Sequence, residues 1–251
     1  MLHDEKLKIA GFVVIILVAG FFFSWSRAPV ELRLVELAQP KGFRTLILDT
    51  QSSRLNPFFD ISPNGTQSSS HSELSVCDGL YRDQGSPVFG AQNAKISIVE
   101  FFDYRCPYCK ELMRILEELE KEKGIRLIYK EWPILSEGSK LAARAALGAA
   151  AQGKYKEFHS QLMNSRLLTT NAYVKSLAKE HGLDPDRLLS DMSTPGITAT
   201  LQRNATLASE LGIIGTPALV VGRTIVQGAI SKNQLERLID IEASIVSPKV
   251  C

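Results

Sequence analysis

The chain is short of the residues that mark metal-storage and nucleic-acid proteins. Its 251 residues include only four histidines, four methionines and four cysteines, and 29 basic against 27 acidic side chains leave a net charge of +2. Charge so near balance gives no electrostatic footprint for nucleic acid. No Met-rich or His-rich tract offers a soft-metal store. There is no second C-x-x-C and no paired Cys and His beside the first, so the four ligands that structural zinc needs are not supplied. The nearest histidines, His71 and His159, are remote from it in sequence. Charge-free apolar sequence is also scarce, with one long run, Ile9 to Ser26.

What is present is a single pair, Cys106-Pro107-Tyr108-Cys109, within FFDYRCPYCKELM at Phe101 to Met113. It falls between an apolar run and a helical one. A C-x-x-C at a strand-to-helix junction suits thiol-disulfide exchange, because the first sulfur then meets unpaired helix N–H groups and the positive end of the macrodipole. Cys106 is therefore the expected nucleophile and Cys109, one turn on, the resolving thiol. Pro107 suits the first helical turn, where its missing N–H is no loss.

Lys95 to Phe102 reads as a central strand, with Ile96, Ile98 and Phe102 on one face and Val99 and Phe101 on the other. Glu100 breaks that pattern. A carboxyl in a covered strand six residues before Cys106 is expected to have a raised pKa and to carry the proton of Cys109; the alternative is a strand-end carboxylate that reaches solvent.

The run Ile9 to Ser26 reads as an uncleaved transmembrane signal-anchor, since Phe21, Phe22, Phe23 and Trp25 crowd the end where a small-residue cleavage site belongs. Residues 1–8 form a short flank. Residues 27–76 are expected to be a stalk or linker, partly disordered: Val30, Leu34 and Leu37 fit a helical stripe, Thr45 to Leu48 a short strand, and Ser62 to Ser75 a polar linker. The folded domain is expected over 77–251.

Within it, the helix after the motif carries Cys109, Leu112, Met113, Leu116 and Leu119 on one face and ends at Gly124, and Ile125 to Glu131 is the next strand. A helical stretch of about 134–212 follows, with helix starts at Asp184-Pro185 and Thr194-Pro195. Ala218 to Val221 and Thr224 to Val226 are two strands turning at Gly222-Arg223, and Ser231 with Gln234 is a capping box for a last helix. A strand-helix-strand unit and a strand-strand-helix unit, separated by helices, make an α/β thioredoxin fold with an inserted all-helical subdomain. Cys77 and Cys251 are left over; in an oxidising compartment they are candidates for a structural disulfide, against free or intermolecular thiols.

From about Leu80 onward the chain resembles the DsbA-like thiol-disulfide oxidoreductases, and within them the suppressor-of-copper-sensitivity (ScsC) type. The residues that carry the likeness are VEFFDYRCPYCKEL at Val99 to Leu112, AARAALGAAAQGKYKEFHSQLM at Ala142 to Met163, and LGIIGTPALVVG at Leu211 to Gly222. The resemblance implies a cis bond at Thr216-Pro217, packed against the active-site sulfurs and lining a substrate groove, and a buried acid at Glu100. It implies exported cysteine-containing or unfolded proteins as substrates, a quinone-linked oxidase or a membrane electron donor as partner, a periplasmic catalytic domain on the bacterial inner membrane, and no bound cofactor. Oligomers are compatible with it. Pro-Tyr stands where strong oxidases of the family have Pro-His, and Thr216 is more like the isomerase branch, so both directions of exchange stay open. A copper-binding protein using Cys106 and Cys109 is the alternative from another class.

Overall fold

A computed structural model describes residues 31–48 and 73–245. One sheet of seven strands runs through it. Its inner strand β4 (Ser97–Phe102) is parallel to β5 (Arg126–Glu131) on one side and antiparallel to β6 (Ala218–Val221) on the other. Gly222, at φ +56°, turns β6 into β7 (Thr224–Gln227). Outside β5 lies β3 (Val88–Gly90), and beyond β7 lie β2 (Arg44–Ile47) and then β1 (Arg33–Glu36).

Because β4 is covered on both faces, its two alternating side-chain sets fill two clusters. Ile98 and Phe102 pack with Leu112, Met113 and Leu116 of α2 (Pro107–Lys123), the helix that links the parallel strands β4 and β5. Val99 and Phe101 pack on the far face with Leu80 of α1 (Glu73–Tyr81) and with Leu207 and Ala208. Phe101 and Phe102 have no exposed surface, and each contributes about 2–3 kcal/mol by its burial. Gly124 ends α2 in the left-handed conformation at φ +60°, and the five α2 residues expected to be buried are the ones that are.

The insertion consists of α3 (Glu137–Ala150), α4 (Tyr155–Asn164), α5 (Asn171–Glu180), α6 (Pro185–Asp191) and α7 (Pro195–Glu210). Asp184 caps α6 through the backbone N–H groups of Asp186 and Arg187, whereas Thr194 makes no side-chain cap to α7. Helix α7 is tied to α3 near its start, where Arg144 donates to the Thr198 hydroxyl at 3.1 Å, and packs further along against α1 on the far sheet face. The last helix, α8 (Lys232–Ile245), begins with the Ser231–Gln234 capping box, each residue's N–H held by the other's side chain. This is a thioredoxin-like α/β fold with added helices.

The segment expected to be stalk is corrected over 31–48. The short strand expected at Thr45 to Leu48 is present as Arg44–Ile47, Arg33–Glu36 is a strand as well, and the helical stripe of Leu34 and Leu37 does not form. Leu34 and Leu46 face one cluster while Phe43 and Leu37 enter the other, an alternation that suits strands. Arg44 then pairs with Glu242 of α8 at 2.6 Å, fastening these strands to the end of the domain. Helix α1 begins at Glu73, ahead of the expected boundary at Cys77. The expected anchor, residues 9–26, lies outside the described residues. Among those described, no helix is long and apolar enough to cross a membrane.

Candidate active site

Cys106 is the N-cap of α2, in extended backbone at φ −82° and ψ 115°, with Pro107 in the first turn. Its Sγ accepts the N–H of Cys109 at 3.4 Å. The hydrogen bond from the Cys109 thiol, helped by the backbone N–H groups of Cys109 and Tyr108, outweighs burial and brings the Cys106 thiol down to about 6. Cys109 has no exposed surface; burial first, then the bond to Cys106 and the nearby Glu100, push its thiol far up. One sulfur is thus thiolate at neutral pH and the other stays a thiol. Titrating the reduced protein by thiolate absorbance is expected to give one transition with a midpoint near pH 6. A first midpoint above about 8.5 would contradict this.

The peptide bond between Thr216 and Pro217 is cis. It leads directly into β6, whose Ala218 pairs with Phe101, and this brings the Thr216 carbonyl to 3.4 Å from Cys106 Sγ. The Thr216 hydroxyl is buried without a partner among the described residues. Tyr108 is 60 % exposed, and Leu167, Leu168 and Ile214 are exposed still further. Leu167 is tied to Arg105, and Ile214 lies two residues before Thr216, so exposed apolar side chains lie on both sides of the cysteine pair.

Glu100 is buried on the α2 side of β4, and neither carboxyl oxygen has a partner among the described residues. Burial, reinforced by the Cys106 charge, pushes its carboxyl up to about 8. At neutral pH it therefore carries a proton below the two sulfurs.

Two further acids were not singled out from the sequence. Asp103 is buried and accepts four hydrogen bonds: Arg105 N at 2.7 Å and Ser139 Oγ at 2.7 Å on Oδ1, Ile134 N at 2.8 Å and Leu135 N at 2.9 Å on Oδ2. Its own carbonyl accepts the N–H of Cys106 at 3.1 Å. Asp103 thus fastens the loop before Cys106 to the start of α3. Asp103→Ala would strand three backbone N–H groups and a hydroxyl and is expected to cost at least about 3 kcal/mol in urea unfolding; a cost below about 1 would contradict this role.

Glu131 is fully buried at the end of β5, and its Oε1 accepts the hydroxyls of Tyr104 at 2.7 Å and Tyr155 at 2.9 Å. His159 Nδ1 lies 3.1 Å from the Tyr104 hydroxyl. Burial holds Glu131 well above the usual carboxylate range, against the two tyrosine hydroxyls that lower it, and pushes His159 down to about 3, so the imidazole is neutral at pH 7. This cluster joins the active-site loop to α4. The only sequence signal for it was polar residues inside otherwise apolar runs.

Cys106 and Cys109 are both free, whereas Cys77, buried in α1, is disulfide-bonded. Cys251 lies outside the described residues. Among the described residues no group of three or more His, Cys, Asp or Glu side chains is placed to hold a metal ion.

A protein-family profile described as a DSBA-like thioredoxin domain matches residues 97–240, more than half of the chain, and both cysteines fall inside it. The chain belongs to the DSBA-like thioredoxin-domain family. A thioredoxin-like oxidoreductase from Silicibacter pomeroyi is 41 % identical, with a TM-score of 0.65 over 67 % of this chain and 98 % of that one. The catalytic domain of Proteus mirabilis ScsC is 33 % identical, with a TM-score of 0.61 over 68 % of this chain and 96 % of that one. Disulfide bond formation protein D of Bacillus subtilis is 24 % identical over 172 residues, covering 63 % of this chain and 78 % of its own length. The chain spans only 21 % of the length of another relative it matches, the Na+/H+ antiporter NhaA of Herminiimonas arsenicoxydans, at 26 % identity over 134 residues. Family membership and the free pair at a helix start make this DSBA-like domain an oxidoreductase of the thiol-disulfide type.

Proposed function

We propose that the protein gives a Cys106–Cys109 disulfide to cysteines of exported proteins. The observation that carries this reading is Cys106 Sγ at the head of α2, holding the Cys109 N–H with its thiol lowered to about 6, beside the Thr216 carbonyl. A substrate thiolate attacks Cys106 Sγ in the oxidised pair and breaks the S–S bond. Cys109 leaves as a buried thiolate and takes the proton of Glu100. A second substrate thiolate then attacks the substrate sulfur of the mixed disulfide, and Cys106 leaves as the stable thiolate. The substrate loses two electrons and the pair gains them. A thiolate stabilised in this way favours the reduced pair, hence donation over isomerisation.

The Thr216 backbone pairs with an extended substrate segment, and Pro217 shapes the groove floor. Tyr108, Leu167, Leu168 and Ile214 receive apolar side chains of unfolded chains. Residues 9–26 anchor the chain in the bacterial inner membrane, with the domain in the periplasm. Cys77 pairs with Cys251. A quinone-linked membrane oxidase recharges the pair, and no bound cofactor takes part.

Equilibration with glutathione tests the direction. A reduction potential less negative than about −200 mV is expected, and one below about −250 mV would contradict donation.

A further inference from the structure

The apolar surface beside Cys106 carries charges that the exchange chemistry does not use. Arg105, exposed and next to Cys106, reaches only the Leu167 carbonyl, at 3.4 Å. Lys110, one turn into α2, donates to the Asn164 carbonyl at 2.9 Å. Arg166 is exposed within the same short segment. These cations make no ion pair among the described residues, whereas Lys123, Lys154, Lys175 and Lys232 elsewhere each hold a carboxylate. A backbone carbonyl steadies a cation without neutralising it. Of the acids nearby, Asp103 is buried with its oxygens taken by Arg105 N, Ile134 N, Leu135 N and Ser139 Oγ, Glu137 is paired with Lys140, and Glu111, one turn beyond Tyr108, is the exposed counter-charge that remains.

We propose that the preferred substrates are apolar segments in which acidic residues flank the reacting cysteine, drawn to Arg105, Lys110 and Arg166. This preference rests on the exchange reaction above and defines its substrate class. An extended segment advances about 3.3 Å per residue, so side chains within two positions of the substrate cysteine stay within about 7 Å of it. That lies inside the screening length of about 10 Å at 0.1 M salt. Carboxylates there meet a rim with an excess of positive charge; lysines there meet like charge.

The test uses the oxidised protein and three matched cysteine peptides, flanked by Asp, Ser or Lys. Each rate is normalised to the same peptide's rate with hydroxyethyl disulfide, a neutral oxidant, which removes the effect of the flanking charge on the peptide thiol itself. The Asp peptide is expected to exceed the Lys peptide about tenfold in kcat/KM at low salt, shrinking below about threefold at 0.5 M salt, as exposed pairs do. Arg105→Glu with Lys110→Glu should invert the order. If the Ser peptide is oxidised but Asp and Lys differ by less than about twofold, the preference is overturned and the exchange reaction stands. If none is oxidised, both are overturned.

Discussion

Cys106→Ser is expected to lose all measurable oxidation of peptide thiols, a fall of at least about 1,000-fold, because no disulfide can then form to be given away. Cys109→Ala is expected to behave differently. It loses the hydrogen bond from the Cys109 thiol, the largest influence holding the Cys106 thiol down, but keeps the nucleophile and has no internal thiol to resolve a mixed disulfide, so covalent adducts should accumulate. The asymmetry follows from position: Cys106 is the N-cap, fed by the Cys109 N–H, while Cys109 is sealed among Leu112, Met113 and the sheet. Equal losses without adduct in either variant would contradict the assignment of the two roles.

Glu100→Gln is expected to stabilise the reduced protein and slow it at the same time. Burial lifts the Glu100 carboxyl from 4.5 to about 8, so the folded state binds this proton more tightly than the unfolded chain does. Below pH 4.5 both states are protonated and nothing is lost. As pH rises from 4.5 to about 8 the unfolded chain releases the proton first, and stability falls across that window by at most about 5 kcal/mol. Glutamine has no such window. The variant should match the native protein at pH 4.5 and exceed it by about 3–5 kcal/mol at pH 8 in urea unfolding. Its exchange rate should fall about 100-fold, since Cys109 has lost its proton donor. A stability difference that does not change with pH would refute the buried-acid account.

The centre of the fold was legible because β4 is apolar on both alternating faces, which few structures other than a covered strand require. The helix after the pair was legible from its apolar stripe, its lysines and Gly124. Of the outer strands only Arg44–Ile47 was, as the short strand read at Thr45 to Leu48. Arg33–Glu36 and Val88–Gly90 are four and three residues long, too short for a period of two to stand out. The outer strands are fixed by pairing and by contacts such as Arg44 with Glu242, 198 residues away in the chain. The site was legible in part for the same reason. The C-x-x-C and Glu100 lie within one local segment, whereas the bonds of Glu131 reach back 27 residues to Tyr104 and forward 24 to Tyr155. In sequence Glu131 ends an apolar strand as many surface acids do; only packing reveals it as fully buried with its titration raised.

The most direct test is to incubate the Cys109→Ala protein with a disulfide-bonded peptide, quench with acid and map the adduct by mass spectrometry. A single peptide disulfide on Cys106 is the predicted result. An adduct on Cys77 instead, or no adduct while the native protein still exchanges, would contradict the claim that Cys106 is the sulfur through which this protein acts.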